Sequence, residues 1–436
     1  MKENNQTKKK RIKFWISISV CGTLFLSTIL LVMWFILLRD HNRSSFVRSE
    51  ETPEEIIKKN YIKGFENIEN SGEFSYFLPQ DDVNNLLDDG VKQTKDKHIE
   101  SIYFEYSKTG QHVFYVDLKN TFIKTRVVVT TNVSDYGYDF IDMKIISAKI
   151  GKVECLNHLV KKGYLTSSWL NKYFKESHLP FTFDDVTKTL KYKVTSYEDY
   201  FPKTKIGTHL FNLAKQDNSS ISINPATLGF SINFSKLRSS KDLVITTYDS
   251  PVPNFYNELD DACKSVNFLG MNIGDSTIAY SLSENDFGNL LKSSIKESFK
   301  EELSYGSNKV TFNLVDAQPS FKDDKMDVSL IYSLNGYLVD SKVELSLIDS
   351  PGLYFNSALE LSYENQFSAG FLEEIFENVQ ENQPNFFNFS KNQGELFIEL
   401  SEMNNNLPDG DLKKSWKRIE INSLTKTLDF IVQKTV

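Results

Sequence analysis

Cys155 and His158 are the two side chains whose types and spacing come nearest to a catalytic pair in this chain. They stand three residues apart, which would place both on one face of a helix. A histidine beside a cysteine can lower the pKa of the thiol and favour a nucleophilic thiolate. The second half of the chain has no counterpart, so we interpret the pair as a core cysteine beside a partly exposed histidine. A hydrolase that depends on His158 stays the less favoured alternative.

The other sequence patterns that carry chemistry are missing. There is no Gly-x-Ser-x-Gly elbow, His-Glu-x-x-His, Cys-x-x-Cys, calcium-binding EF-hand loop or glycine-rich phosphate loop. Carboxylates gather at Asp409-Gly-Asp411 and at Asp323, Asp324 and Asp327, which we interpret as solvated turns, with a weak calcium site as the alternative. We therefore predict a protein without enzymatic activity, metal or cofactor.

A stretch that occurs twice supplies the remaining candidate residues. Residues 74–87 (FSYFLPQDDVNNLL) recur at 278–291 (IAYSLSENDFGNLL), with six of fourteen positions identical at an offset of 204. The shared side chains are candidates for lining a groove or for setting domain geometry: Tyr76, Asn85, Leu86, Leu87, Tyr280, Asn289, Leu290 and Leu291. An asparagine here could stand at the mouth of a groove. The favoured interpretation is that it bonds to a neighbouring strand end, with the leucines in the core.

Each copy of this stretch reads as a strand, a turn and the start of a helix, and the elements that follow repeat in order. In the first copy we predict strands at 99–106, 112–118, 122–131, 138–146, 190–195 and 221–234, with helices at 153–161 and 167–175. In the second copy we predict strands at 309–315, 325–334, 336–348, 353–363, 395–400 and 418–432, with helices at 285–303 and 371–379. Short links favour an antiparallel meander. The predicted fold class is α+β: two duplicated domains, each a twisted antiparallel sheet with helices on one face.

The N-terminal region predicts a transmembrane helix. Residues 2–13 hold six cations and one acid, and Phe14–Leu38 then runs for 25 residues without a charge. That length spans a bilayer, and the larger number of cations before it places the N-terminus in the cytoplasm. The run is too long for a cleaved signal peptide and lacks a small-residue cleavage site. We therefore predict an uncleaved signal anchor.

The resulting domain organisation has six parts. Thr52-Pro53-Glu54-Glu55 has the residues of a helix start, so a juxtamembrane helix of about 18 residues is expected to follow the anchor. The predicted parts are a basic tail (1–13), a transmembrane helix (14–38), a juxtamembrane stalk helix (39–72), repeat domain 1 (73–234), a linker with a short helix (235–276) and repeat domain 2 (277–436).

The charge balance limits the partners. Residues 1–48 carry nine cations and two acids, so the rest of the chain carries a net charge of −15 within a total of −8. An acidic ectodomain is poorly suited to phosphate backbones, which excludes nucleic acid as a partner. The expected location is the cell membrane, with the C-terminal domains outside the cell.

The motifs of the first copy resemble the YpmS-like family. The resemblance is carried by Asp-x-x-Asn-x-Leu-Leu at 81–87 with the strands after it, by Ile146-Ser-Ala-Lys-Ile-Gly-Lys and by Leu179-Pro-Phe-Thr-Phe-Asp-Asp-Val. It is fainter over 277–433, where the Ile-Gly segment is missing. It implies a single-pass membrane protein of Gram-positive bacteria and relatives. It brings no catalytic residue to this chain.

Together these observations predict a membrane-anchored binding protein. A sheet covered by helices on one face leaves an apolar groove, so the favoured ligand is an amphiphile (a lipid or lipidated envelope precursor) or an envelope protein. The alternative is a structural scaffold or spacer in a cell-envelope complex, in which the interior between sheet and helices is simply packed.

Overall fold

The fold is α+β with mostly antiparallel sheets, which confirms the predicted fold class. A curled half-barrel, which the sequence did not predict, is also present. The structure was obtained as a computed structural model. The structure describes residues 3–38, 49–95, 97–106, 110–119, 125–137, 140–155, 167–193, 204–216, 220–236, 243–248, 251–252, 254–255, 257–258, 261, 277–323, 325–348, 357–361, 366–384, 386–398 and 414–434.

Eight helices are labelled in the described residues. They are α1 (Glu3–Leu38), α2 (Pro53–Gly64), α3 (Ile68–Ser71), α4 (Gln80–Thr94), α5 (Ser167–Glu176), α6 (Lys205–Gln216), α7 (Glu284–Ser293) and α8 (Gln366–Asn382). Short 3-10 helices occur at Phe234–Lys236 and Glu297–Phe299.

Among the described residues, ten strands precede residue 235 and ten follow residue 276. The first ten are β1 (Glu73–Tyr76), β2 (Ile99–Glu105), β3 (Gln111–Leu118), β4 (Arg126–Tyr136), β5 (Phe140–Ile150), β6 (Val153–Glu154), β7 (Phe181–Asp184), β8 (Thr189–Lys193), β9 (Ile221–Asn224) and β10 (Gly229–Asn233). The second ten are β11 (Thr277–Ser283), β12 (Lys300–Tyr305), β13 (Asn308–Lys322), β14 (Lys325–Leu334), β15 (Tyr337–Ile348), β16 (Ser357–Leu361), β17 (Phe387–Ser390), β18 (Glu395–Ile398), β19 (Lys414–Asn422) and β20 (Thr427–Lys434).

The strand orders of the two large sheets match over six strands. One large sheet runs β2-β3-β4-β5-β8-β7, with β6 paired to β5, and the other runs β12-β13-β14-β15-β16-β18-β17. The second therefore matches the first from β13 onward and carries β12 as an extra edge strand. Both also have an irregularity in the first shared ladder, at Ile99/Ser101 and at Leu314/Asp316. The small sheets, β1-β10-β9 and β11-β20-β19, match as well.

The chain forms two compact units whose bounds interleave along the sequence. Unit 1 comprises Met1–Tyr61, Ser75–Phe201 and Ser222–Ser231, and unit 2 comprises Ile62–Phe74, Pro202–Ile221 and Ile232–Val436. Helices α3 and α6 therefore belong to unit 2, although they precede the linker in sequence.

Several predicted elements differ from the observed ones in type or extent. The predicted helix 285–303 ends at Ser293, and Lys300–Tyr305 is strand β12, because pairing with β13 along six residues overrides the helix propensity of Lys-Glu-Glu-Leu. The predicted closing strands 221–234 and 418–432 are hairpins, since Asn224 and Asn422 accept hydrogen bonds from backbone N–H groups two residues on and form turns.

The predicted helix 153–161 begins instead as strand β6. Val153–Glu154 pairs with the end of β5, and the Glu154 carboxylate accepts a hydrogen bond from Ala148 N at 3.1 Å. Residues 156–161 lie outside the described residues, as does His158. Residues 255, 257, 258 and 261 are helical. They lie where a short helix is predicted in the linker.

The helix start at Thr52 is confirmed, but the helix spans 12 residues rather than about 18. Thr52 N donates to the Glu55 carboxylate at 2.8 Å, and Glu55 N donates back to Thr52 Oγ1 at 3.3 Å, which closes a capping box. Helix α2 ends at Gly64, and its apolar face is buried through Ile56, Ile57 and Tyr61. The segment packs into the folded protein because its apolar residues recur at helical spacing.

Helix α1 includes the predicted membrane span. Its described apolar side chains are exposed, from Ile16 through Phe25 to Leu37. Within the side chains that the structure describes, no helix has both the length and the apolar character that a membrane crossing requires.

Candidate functional site

The repeated stretch of unit 1 closes an edge of the sheet. Strand β2 lies at the edge. Phe104 N in this strand donates to Asn84 Oδ1 at 2.6 Å, and Tyr106 N just after it donates to Gln80 Oε1 at 3.1 Å. Gln80 and Asn84 are one helical turn apart on α4, so one face of the helix meets alternate residues of the strand. The edge is thereby protected from pairing with another chain.

Asn85 contacts the segment that precedes α2. This half-buried side chain accepts a hydrogen bond from Ser49 N at 2.9 Å through Oδ1. One turn away, buried Asp82 accepts from Lys59 Nζ at 3.1 Å and from Asn60 Nδ2 at 2.7 Å. The strand contact expected of Asn85 is thus made by its neighbour Asn84, which the sequence comparison passed over because position 288 is a glycine.

The other candidate residues lie in the interior, except for Tyr280, which is half-buried. Leu86, Leu87, Leu290 and Leu291 are fully buried, and Asn289 is 9% exposed. The Tyr76 ring packs 5.5 Å from Phe230, and the Tyr280 ring packs 5.9 Å from Phe430. Both tyrosines therefore contact an equivalent phenylalanine of the small sheet.

The repeated stretch of unit 2 is fixed by polar contacts of its own. Ser283 and Asp286 form a capping box at the start of α7. Glu284 accepts a hydrogen bond from Phe321 N at 2.6 Å, in the position that Gln80 occupies in unit 1. The Tyr280 hydroxyl donates to Glu258 at 2.9 Å, and burial together with Glu258 raises the pKa of this tyrosine.

Residues 243–248 form an extended strap on unit 2, held by a buried carboxylate. Asp316 is fully buried and accepts from Thr246 N at 2.7 Å and from Gln318 Nε2 at 2.8 Å. Lys292 Nζ lies 3.8 Å from the same carboxylate and donates to the Thr246 carbonyl. Burial and the charge of Asp316 raise the pKa of Tyr248 to about 12. The polar groups of this cluster therefore hold the strap in place.

A helix that the sequence prediction missed covers the interior of unit 2. The N-terminus of α6 is capped by Glu301, which accepts from Lys205 N at 2.8 Å and Ile206 N at 3.0 Å. Its buried face includes Ile206, Leu210 and Ala214, at helical spacing that could have been found in the sequence.

His209 of α6 joins a buried hydroxyl cluster that resembles a catalytic pair. Its Nε2 lies 3.1 Å from Ser368 Oγ, which also bonds to Ser341 Oγ, and the imidazole packs 5.3 Å from the Tyr332 ring. Burial lowers the pKa of His209 to about 4, and its side chain and that of Ser368 are essentially inaccessible to solvent. A nucleophile that no substrate can reach is a packing feature, so we assign the cluster to fastening α6.

The described residues bring together no other catalytic or metal-binding group. Burial and Glu154 raise the pKa of the Cys155 thiol, which donates to Ala148 O at 3.3 Å and is therefore held as a thiol. Buried His112 donates through Nε2 to Pro225 O at 3.0 Å, and burial lowers its pKa. Over the part of the chain that the structure describes, no three His, Cys, Asp or Glu side chains form a metal-binding group. Asp324, Asp409 and Asp411 lie outside that part.

An apolar strip lies on the helix-bearing face of the sheet in unit 1. Val116, Val127 and Ile150 are direct cross-strand neighbours on β3, β4 and β5, and Val129 and Leu118 extend the strip along their strands. Val129 pairs with Phe114, whose ring contacts Phe174 of α5 at 6.5 Å, so the strip faces the helices. All five side chains are half-buried. We call these five residues the open strip.

The corresponding face of unit 2 is closed. On β14 and β15, its side chains are at most 3% exposed: Val328, Leu330, Tyr332, Val339, Ser341 and Val343. The difference follows from α6, which packs on this face of unit 2 through His209. The described face of unit 1 is therefore more open than its counterpart.

Comparison with known proteins identifies no relative: neither the models of protein families nor the curated proteins contain a match to this chain. The resemblance to the YpmS-like family stays a prediction.

Proposed function

We propose that this chain is a single-pass, membrane-anchored protein that binds a ligand outside the cell membrane and has no catalytic role. Support for the anchor comes from the 25-residue uncharged run within α1 and from side chains such as Leu24 and Phe25, which are more than 60% exposed. Apolar side chains that no protein segment covers are stable in lipid. The cations at residues 2–13 favour a cytoplasmic N-terminus.

The open strip carries the proposal for the ligand. It presents valine, leucine and isoleucine side chains that are half-buried on a face whose counterpart in unit 2 is sealed. Such a surface favours an apolar group that removes it from water. The ligand class is an amphiphile, a lipid or lipidated envelope precursor, or the apolar part of an envelope protein; nucleic acid is excluded by the charge of −15.

Native mass spectrometry of the full chain tests the proposal. Protein extracted from its membrane and released from detergent is expected to carry one amphiphile, or to take one up when lipid is offered. Val127→Asp should lower the bound fraction, because a carboxylate on the open strip would have to be desolvated. Val128→Asp is the matched control, since Val128 is also half-buried but points to the opposite face of β4. Recovery of bare protein under all these conditions would contradict ligand binding.

The second candidate is a scaffold within a cell-envelope complex, and the interior of unit 2 favours it. Aromatic side chains fill that interior: Phe255 packs 5.9 Å from Phe386, which packs 4.7 Å from Phe387. A filled interior holds no ligand, so the contribution of unit 2 would be rigidity. In this proposal the two duplicated domains act as a spacer, and affinity purification should recover a stoichiometric envelope protein. An extracytoplasmic hydrolase is the least favoured candidate, because no accessible nucleophile and base meet in the described residues.

A further inference from the structure

The end of the open strip lies against the end of α1. Strand β5 ends at Ile150, and after the turn Lys152 N donates to Leu37 O at 2.8 Å. The last carbonyl groups of a helix have no partner within the helix, so this contact satisfies one of them. Because α1 ends at Leu38, the contact falls at the outer end of the predicted span.

Three strands bring the open strip to this same end of the sheet. Gly151 N donates to Arg126 O at 2.8 Å, and Leu118 N donates to Thr125 O at 3.0 Å. Leu118, Val127 and Ile150 therefore stand within two residues of the sheet end that contacts α1. The remaining members, Val116 and Val129, continue the strip away from it.

The size of the open strip separates the possible ligands. Strands lie about 4.8 Å apart and alternate residues about 7 Å apart, so three strands and two side-chain rows cover roughly 200 Å². A stable protein partner buries about 800 Å² on each side. The strip is too small for such an interface, and its side chains offer no hydrogen-bonding group that would recognise a polar ligand.

We propose that the open strip accepts the acyl chain of an amphiphile drawn from the membrane leaflet beside the protein's own anchor. This inference rests on the proposed function and adds the source and chemical part of the ligand. The amphiphile keeps its polar head at the membrane surface, near Lys152 and the end of α1, while its acyl chain covers Ile150, Val127 and Val116. Unit 2 takes no acyl chain, because α6 seals the equivalent face.

Photolabelling of the full chain in vesicles tests this inference. The vesicles contain phosphatidylethanolamine and phosphatidylglycerol in a ratio of three to one, with a trace of phospholipid that carries a diazirine in its acyl chain. After irradiation, mass spectrometry should find adducts on β3, β4 and β5 at the open strip, in addition to those on α1. Unit 2 should be unlabelled on β14 and β15.

Two variants and one control test whether the adducts come from binding at the open strip. Val127→Asp places a charge on the open strip, and Val127→Phe fills the space above it. Each variant should lower labelling of the strip at least about five-fold, because the acyl chain would then bind at a higher free energy. Val128→Asp, on the opposite face of the same strand, should leave it unchanged. Adducts on α1 give the internal reference, and hydrogen exchange of β4 checks that every variant is folded. Equal strip labelling in all variants would overturn the assignment.

A second arm separates the source of the ligand from ligand binding itself. The full chain is held in an amphipathic polymer without lipid, and a diazirine-bearing fatty acid is supplied from water. Strip labelling from vesicles supports the inference. Labelling from water but not from vesicles would leave the proposed function standing and overturn the membrane source, whereas absence of strip labelling in both arms would overturn both.

Discussion

Single polar side chains, more than any catalytic group, organise the described parts of this protein. Asn84 and Glu284 each accept a hydrogen bond from a strand N–H, Gln80 accepts one from the residue after β2, and Asp316 accepts two from the strap and its support. The bonds to Asn84, Glu284 and Asp316 saturate donors that burial would otherwise leave unpaired. Their positions next to the repeated leucines explain why the repeated stretch is a structural seam in both units.

Asn84→Ala tests this role at one position. Loss of the acceptor leaves Phe104 N unpaired in a buried place, which should cost about 1–3 kcal/mol of unfolding free energy. Hydrogen exchange at Phe104 and urea unfolding of the chain measure the effect. Asn85→Ala is the control and should cost less, because Asn85 is half-buried and its donor Ser49 N lies near solvent. A larger loss in Asn85→Ala would contradict the assignment.

His209 should make unit 2 sensitive to acid. Burial lowers its pKa from 6.5 to about 4, so between these values the unfolded chain binds a proton that the folded chain does not. Its contribution to stability is therefore complete above pH 6.5 and falls as the pH drops toward 4, by about 3 kcal/mol in total.

The measurement compares wild type with His209→Gln, because carboxyl groups also titrate below pH 5. Hydrogen exchange of α6 and β14 is followed at several pH values from 7.5 to 4. The wild type should lose protection over this window more steeply than the variant, and the two curves should be parallel above pH 7. Parallel curves throughout would show that His209 does not titrate between the folded and unfolded states.

At the scale of elements, two helical glycines differ in the space that their surroundings leave for a Cβ atom. A Cβ at Gly90 of α4 would meet Ser177 Oγ and would lie 3.0 Å from Ser177 Cα, which is backbone after α5. A Cβ at Gly370 of α8 would meet nothing within 4 Å. The same substitution should therefore have opposite effects at the two positions.

Gly90→Ala is expected to destabilise the chain by about 1–3 kcal/mol, since overpacking forces backbone to move. Gly370→Ala should stabilise it by about 0.5–1 kcal/mol through helix propensity alone. Urea unfolding, with hydrogen exchange to assign the change to α4 or α8, provides the measurement. A stabilising Gly90→Ala would mean that α4 and α5 pack less closely than the structure shows.

At the scale of the whole molecule, segments far apart in the sequence belong to the same compact unit. Unit 2 includes Ile62–Phe74 and Pro202–Ile221, and within it Phe65 packs 5.4 Å from Phe312 while α6 covers Tyr332. These segments supply apolar surface that the residues after the linker need in order to bury their own.

Expression of fragments tests this division. A fragment of residues 277–436 should expose the face of β14 and β15, bind a hydrophobic dye and unfold without cooperativity. A fragment of residues 202–436 retains α6 and should show lower dye binding and a sharper unfolding transition. Equal, cooperative unfolding of both fragments would contradict the assignment of α6 to the core of unit 2.

The sequence determined what is encoded locally. The Thr52 capping box, the strands with alternating apolar residues, the helix starts after the repeated strands and the burial of Leu86, Leu87, Leu290 and Leu291 all follow from residue type and short-range spacing. The uncharged run at 14–38 likewise predicts a membrane-spanning helix without any tertiary information, because the length of an apolar run sets its preference for lipid.

Only the tertiary structure decided how distant segments combine. The pairing of β12 with β13 overrode a local helix preference, and Asn84 rather than Asn85 reached the strand, because the direction of α4 relative to β2 is fixed by packing. The open strip likewise depends on which face α6 covers: Val127 and Tyr332 lie on corresponding faces, yet one is half-buried and the other sealed. Burial depends on segments far apart in the chain, so local residue patterns cannot specify it.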